Sequence, residues 1–117
     1  GVEGMSGSIT VDSDALTKAC HTPATKARAK KSKHEIPEWT HFDGAMNGKL
    51  IVAAPSHTTI LEGEGVLMQR FSVNAKEMHD LMKRLEKLDQ KCVLSVDGGT
   101  LSLVFGSTKI AVKIVIK

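Results

Sequence analysis

Arg70-Phe71-Ser72-Val73-Asn74 followed by Ala75-Lys76-Glu77-Met78-His79-Asp80-Leu81-Met82 reads as a strand that runs straight into a capped helix. Asn74 is a good N-cap, and Glu77 stands three residues on, where a capping box places its acid. Met78, Leu81, Met82, Leu85 and Leu88 recur at helical spacing and form one apolar stripe. The same plan occurs earlier, where Ser8-Ile9-Thr10-Val11-Asp12 leads into Ser13-Asp14-Ala15-Leu16-Thr17-Lys18-Ala19-Cys20. Aligning Val11 with Val73 puts Asp12 on Asn74, Leu16 on Met78, Ala19 on Leu81 and Cys20 on Met82. Such a repeat constrains the fold, because each unit has to bury the same face in the same way.

Working outward, each helix is followed by three strand-like runs. The first unit continues with 39–45, a turn at Asn47-Gly48, then 49–54 and 57–62. The second continues with 92–96, a turn at Asp97-Gly98-Gly99, then 100–105 and 108–116. Asn-Gly and Asp-Gly between apolar runs are strong hairpin signals, because Gly and Asn tolerate positive φ. Matching Val11 to Val73 is an offset of 62, and matching Asn47 to Asp97 is an offset of 50. The twelve-residue difference is assigned to the lysine-rich stretch 23–38, which the second unit lacks. The expectation is an α+β domain of two β-α-β-β-β repeats, 8–62 and 69–116, with two helices packed on one face of an antiparallel sheet of about eight strands. Residues 1–7 read as a flexible segment, and Gly63-Glu64-Gly65 as a flexible connector between the units.

Charge is unevenly spread. The net charge is +3, yet Lys18, Lys26, Arg28, Lys30, Lys31 and Lys33 fall in a stretch with no acid between Asp14 and Glu35. The remainder is therefore net negative. A cluster of this kind can hold phosphates, and a solvated loop accounts for the composition equally well. The polar face of the second helix carries Lys76, Lys83, Arg84 and Lys87 against Glu77, Asp80 and Glu86. In the last strand Ile110, Val112, Ile114 and Ile116 alternate with Lys109, Ala111, Lys113, Val115 and Lys117. That pattern describes a half-buried strand, whose lysines would guard a sheet edge while leaving its backbone free to accept a partner.

Nothing in the pattern points to catalysis. His21, His34, His41, His57 and His79 are scattered, with no metal-ligand spacing to one another or to Cys20 and Cys92. There is no nucleophile elbow, P-loop or dinucleotide glycine pattern, so neither cofactor nor metal is expected. Both cysteines sit at apolar positions and read as buried thiols. Phe42, Phe71 and Phe105 read as core, which argues against a stacking platform for single strands; Trp39, at a strand start, is the aromatic with a surface option. No run is long or apolar enough to span a membrane, and the amino end lacks a secretory core, so the expected location is cytoplasmic.

The stretches Ser8–Ala19, Gly48–Ala54, Phe71–Leu88 and Val93–Phe105 resemble one domain of a DNA sliding clamp, the bacterial β clamp in particular. The likeness lies in Phe-Ser-Val-Asn-Ala-Lys-Glu-Met and in the hairpin Val-Leu-Ser-Val-Asp-Gly-Gly-Thr-Leu-Ser-Leu, and it extends over nearly the whole sequence. It implies a non-enzymatic processivity factor of DNA replication. In that family such domains join edge to edge into a ring, and helices carry basic side chains toward duplex DNA without reading its sequence. The implied DNA-facing positions are Lys18, Lys76, Lys83, Arg84 and Lys87, extended by the loop residues Lys26, Arg28, Lys30, Lys31 and Lys33. The implied interface is the edge strand with Lys109, Ala111, Lys113 and Val115. A bacterial clamp protomer carries three such domains and its eukaryotic counterpart two. A ring of six would thus take six copies of this sequence as a homo-oligomer. The alternative is an interaction module that binds or interferes with a replication factor through its sheet edge.

Overall fold

The computed structural model describes residues 7–21, 38–44, 47–85 and 91–116. Among them are ten strands and two helices. In chain order they are β1 (Gly7–Asp12), α1 (Ser13–Ala19), β2 (Trp39–Asp43), β3 (Lys49–Ala53), β4 (Thr58–Glu62), β5 (Glu64–Leu67), β6 (Arg70–Asn74), α2 (Ala75–Leu85), β7 (Lys91–Asp97), β8 (Thr100–Phe105), β9 (Thr108–Lys113) and β10 (Val115–Ile116). The α+β class and the duplicated plan stand. The strands, however, divide into two five-stranded antiparallel sheets rather than one sheet of eight, ordered β5-β1-β7-β8-β9 and β10-β6-β2-β3-β4.

Each sheet takes the leading strand of one unit and the trailing strands of the other. Val11 on β1 pairs with Cys92, and its counterpart Val73 on β6 pairs with Thr40. Thr40 therefore corresponds to Cys92, an offset of 52. The next ladders, Phe42 with Val52 and Leu94 with Leu103, bring the offset to 51. It stays at 51 to the end of each unit. Gly63 N–H donates to Gly48 O at 2.9 Å, and Ile114 N–H donates to Gly99 O at 3.0 Å, one bond written twice. The turn pairing read from sequence is thereby corrected. Gly48 matches Gly99 and Asn47 matches Gly98, so ten residues are lost between helix and second strand and one more at the turn.

Two further expectations change. Gly63-Glu64-Gly65 is not a loose connector, because Glu64 and Gly65 open β5, which pairs along β1. Residues 108–116 are not one strand. They break at Ile114, where the chain leaves one sheet as β9 and joins the other as β10. Gly63 and Ile114 are thus matching crossover points.

The helices begin as their caps predict. Ala15 N–H donates to Asp12 Oδ2 at 3.2 Å, and Glu77 N–H donates to Asn74 Oδ1 at 3.0 Å. Each cap satisfies an amide that the helix leaves orphaned. Leu16, Ala19, Met78 and Met82 are buried in a single core together with inward side chains of both sheets, Phe42, Phe71, Leu94 and Leu103 among them. Phe42 and Phe71 face each other across β2 and β6 with ring centroids 4.9 Å apart. Trp39 takes the surface option at 39 % exposure. α1 packs against α2, β1 and β4, and α2 against β2 and β6.

Cys20 and Cys92 are buried thiols, as expected, and no disulfide joins them. Burial pushes both thiols up to about 12; the nearby Cys92 adds to the rise at Cys20, and a hydrogen bond with the Val104 backbone opposes it at Cys92. Both stay protonated at neutral pH and are poor nucleophiles.

Candidate nucleic-acid interface

The outward faces of α1 and α2 carry the charged side chains, since the apolar positions of both helices are spent on the core. Lys18, Lys76, Lys83 and Arg84 are all exposed. Lys26, Arg28, Lys30, Lys31, Lys33 and Lys87 lie outside the described residues.

The repeat shapes the electrostatics of this face. Asp14 corresponds to Lys76 and Lys18 to Asp80, so one slot at i,i+4 spacing holds opposite polarities in the two helices. Lys18 Nζ lies 3.3 Å from Asp14 Oδ2, and Lys76 Nζ lies 3.4 Å from Asp80 Oδ2. Both pairs are largely exposed, so each adds little to stability and its lysine can turn to another anion at small cost. Lys83 and Arg84 have no ion pair among the described residues, and they sit in the last turn of α2, where the helix dipole favours cations. Within the bounds of α1 and α2 the cations Lys18, Lys76, Lys83 and Arg84 stand against the acids Asp14, Glu77 and Asp80. The described face is only mildly basic, with its free charge at the C-terminal end of α2.

A cleft of about 140 Å³ opens between the helices, lined by Thr17, His21, His79 and Lys83. The His21 and His79 rings are 4.9 Å apart between centroids and tilted by 53°. Sequence reasoning missed this pair, taking the five histidines as scattered. The signal was present in the repeat. The offset of 62 maps Thr17 onto His79 and His21 onto Lys83, so a local two-fold between the helices gathers these four positions at its axis. The end of α1 is held as well: His57 Nε2 donates to Lys18 O at 3.1 Å, while Ser56 Oγ meets His57 Nδ1 at 3.0 Å.

The predicted interface residues do not share one edge. Lys109, Ala111 and Lys113 are exposed on β9, at the border of the first sheet, whereas Val115 lies on β10, at the border of the second, opposite Ser72. The counterpart of β9 is β4, the other border of the second sheet, where Ile60 is 59 % exposed. A separate depression of about 190 Å³ on the second sheet is lined by His41, Phe42, Asp43, Ile51, Ala53 and Arg70. Two of these residues form an ion pair, with Arg70 Nε 3.4 Å from Asp43 Oδ2. Among the described residues no three His, Cys, Asp or Glu side chains are grouped to hold a metal, and no helix is long and apolar enough to cross a membrane.

No family model and no curated protein matches the chain. Solved structures do. The chain is similar to the DnaN sliding clamp (DNA polymerase III subunit beta) from Bartonella birtlesii bound to griselimycin, with a TM-score of 0.70 and 23 % identity over 95 % of this chain. It is similar to the DNA polymerase III beta subunit from Thermotoga maritima, with a TM-score of 0.66 and 22 % identity over 93 %. It is also similar to the Helicobacter pylori beta clamp bound to a DNA ligase peptide, with a TM-score of 0.63 and 16 % identity over 92 %. The chain spans 30 % of the length of each of these three. At this identity the likeness is one of fold, and the two-sheet, two-helix architecture above is that of a bacterial sliding-clamp domain.

Proposed function

We propose that this chain is a non-enzymatic, clamp-like protein that associates with duplex DNA independently of sequence, through the outward face of α1 and α2, and supports replication processivity as an assembly of several copies. The observation that carries this reading is the clamp fold over 95 % of the chain with Lys83 and Arg84 exposed on its helix face and in no ion pair among the described residues. Lysine and arginine on a rigid helix surface neutralise phosphates without reading bases, so such contacts are weak singly, additive and salt-sensitive. Lys26, Arg28, Lys30, Lys31, Lys33 and Lys87 extend the same surface in this reading.

Assembly follows from the edges. β4 and β9 are counterparts at the free borders of different sheets, and Glu62 on β4 complements Lys109 and Lys113 on β9. A copy that offers β4 to the β9 of the next makes a head-to-tail contact, the kind that closes a ring. Charge reversal tests the DNA face. Lys83→Glu, Arg84→Glu and Lys87→Glu together are expected to abolish duplex binding while leaving the fold intact; undiminished binding would remove the helix face from the account.

The exposed border strands favour a second reading, in which β4 or β9 accepts a strand from a replication protein. The Helicobacter pylori clamp was solved with a DNA ligase peptide, so a protein of this fold does receive a partner segment. Edge binding without any duplex affinity would select this reading over the first.

A further inference from the structure

We propose that the partner of each unit in this fold can come from a second copy of the chain, so that two copies exchange their second units and form a dimer of two complete domains. The exchange goes beyond the reading above: it needs no DNA and uses neither β4 nor β9 as a docking edge.

Neither unit holds a core of its own. The first gives β5-β1 to one sheet and β2-β3-β4 to the other, and the second gives β7-β8-β9 and β10-β6. Each sheet becomes whole only where the units meet, through the ladder of β1 with β7 and that of β2 with β6. The core likewise draws on both, with Ile9, Leu16 and Phe42 from the first unit and Phe71, Met78 and Leu94 from the second. A unit by itself would leave β1 and β2, or β6 and β7, with an open edge and this apolar surface in water. A second copy carries the same residues in the same order. Its second unit therefore makes every one of these pairs, and no new contact has to be devised.

The connection decides between one chain and two. Only Met68 and Gln69 stand between β5 of the first unit and β6 of the second. In the single chain they form a tight turn, in which Gln69 N–H donates to Leu67 O at 2.7 Å and Gly44 N–H donates to Gln69 O at 2.9 Å. A hinge this short restricts how its own two units can approach, and a second copy reaches the same surfaces without that restriction. Met68 is 54 % exposed, an apolar side chain at the point where the two hinges of an exchanged dimer pass each other. Parting the units again means undoing both ladders and the core, so either form persists once folded. The choice is made while the chain folds, and concentration sets it. A contact between sheet borders differs in this respect, because it opens no core when it parts and reverses on dilution.

The test uses two full-length variants, Ser8→Cys and Ser95→Cys, each with one new thiol at facing positions on the outer side of the β1–β7 ladder. Directly opposed strand residues lie within reach of a disulfide, and Cys20 and Cys92 are buried. The two variants are unfolded in denaturant, mixed, refolded together and oxidised. The expected product is a dimer with a disulfide joining one variant to the other, and it should keep its mass on dilution. Its yield should fall roughly fiftyfold between about 1 mM and about 10 μM chain, because tethered units meet at an effective concentration on the order of 1 mM. Variants refolded apart and mixed afterwards should give no such bond. The Ser8→Cys, Ser95→Cys double variant, refolded dilute, should close the bond within one chain. A mixture that refolds to monomers at about 1 mM, or to a dimer that parts on dilution, overturns the exchange whether or not that bond closes. So does a lasting dimer without the cross-link when the double variant does close it. Each of these results leaves duplex binding untouched.

Discussion

Thr40 Oγ1 is buried without a hydrogen-bond partner among the described residues. Its counterpart in the second unit, Cys92, occupies the same inward slot with a thiol that tolerates an apolar setting. A hydroxyl does not, because it loses its water contacts on burial and gains nothing in return. Thr40→Val keeps the shape and removes the orphaned group, so it is expected to raise unfolding stability by about 1 kcal/mol in a denaturant titration. A destabilised variant would mean that the hydroxyl has a partner after all. At this scale the sequence is legible where chemistry is local. Asp12 and Asn74 cap as their side chains dictate, and Leu16, Met78 and Met82 are buried as their spacing requires. The His21–His79 contact is not local. It joins two helices nearly sixty residues apart, and only the repeat, used as a symmetry operation, brings these residues together.

The two crossovers show what an element needs in order to change sheets. Gly63 separates β4 from β5, and a Cβ on it would stand 2.1 Å from Thr10 O and 2.9 Å from Val11 Cγ1. The backbone of β1 cannot move aside without disturbing both of its ladders. Gly63→Ala is expected to cost about 2 kcal/mol or more in thermal or denaturant unfolding. Gly99→Ala is the control: a Cβ there meets nothing nearer than Ile114 O at 3.9 Å, so a change within about 0.5 kcal/mol is expected. Equal stability of the two variants would contradict this account of the crossover. The strands β5 and β10 escaped sequence reading for a physical reason. They are four and two residues long, one of them holds a glycine at φ +105°, and neither alternates long enough to give a strand signal. The break at Ile114 was hidden in turn by an alternation that continues through it, since alternation reports the face of a side chain and not the sheet its strand joins.

At the scale of the molecule, the repeat was legible and the exchange of strands between its halves was not. Alternation and turns fix which strands are neighbours along the chain, such as β7-β8-β9. They carry no signal that β1 lies beside β7 rather than β2, a contact between residues about eighty positions apart. The exchange leaves β4 and β9 as unlike borders, with Ile60 and Glu62 on one and Lys109, Ala111 and Lys113 on the other. Light scattering over a wide concentration range is expected to give a mass that climbs above that of one chain and approaches six copies; a strict monomer throughout would remove homo-assembly. Duplex affinity across salt probes the helix face itself. Two unrelated duplexes of equal length should bind alike, with affinity falling steeply between about 50 and 200 mM salt. The slope of log affinity against log salt should shrink by about 1 for each of Lys83 and Arg84 replaced by Gln. Affinity that distinguishes the two sequences, that ignores salt, or that is absent at 50 mM salt would contradict this reading of the face.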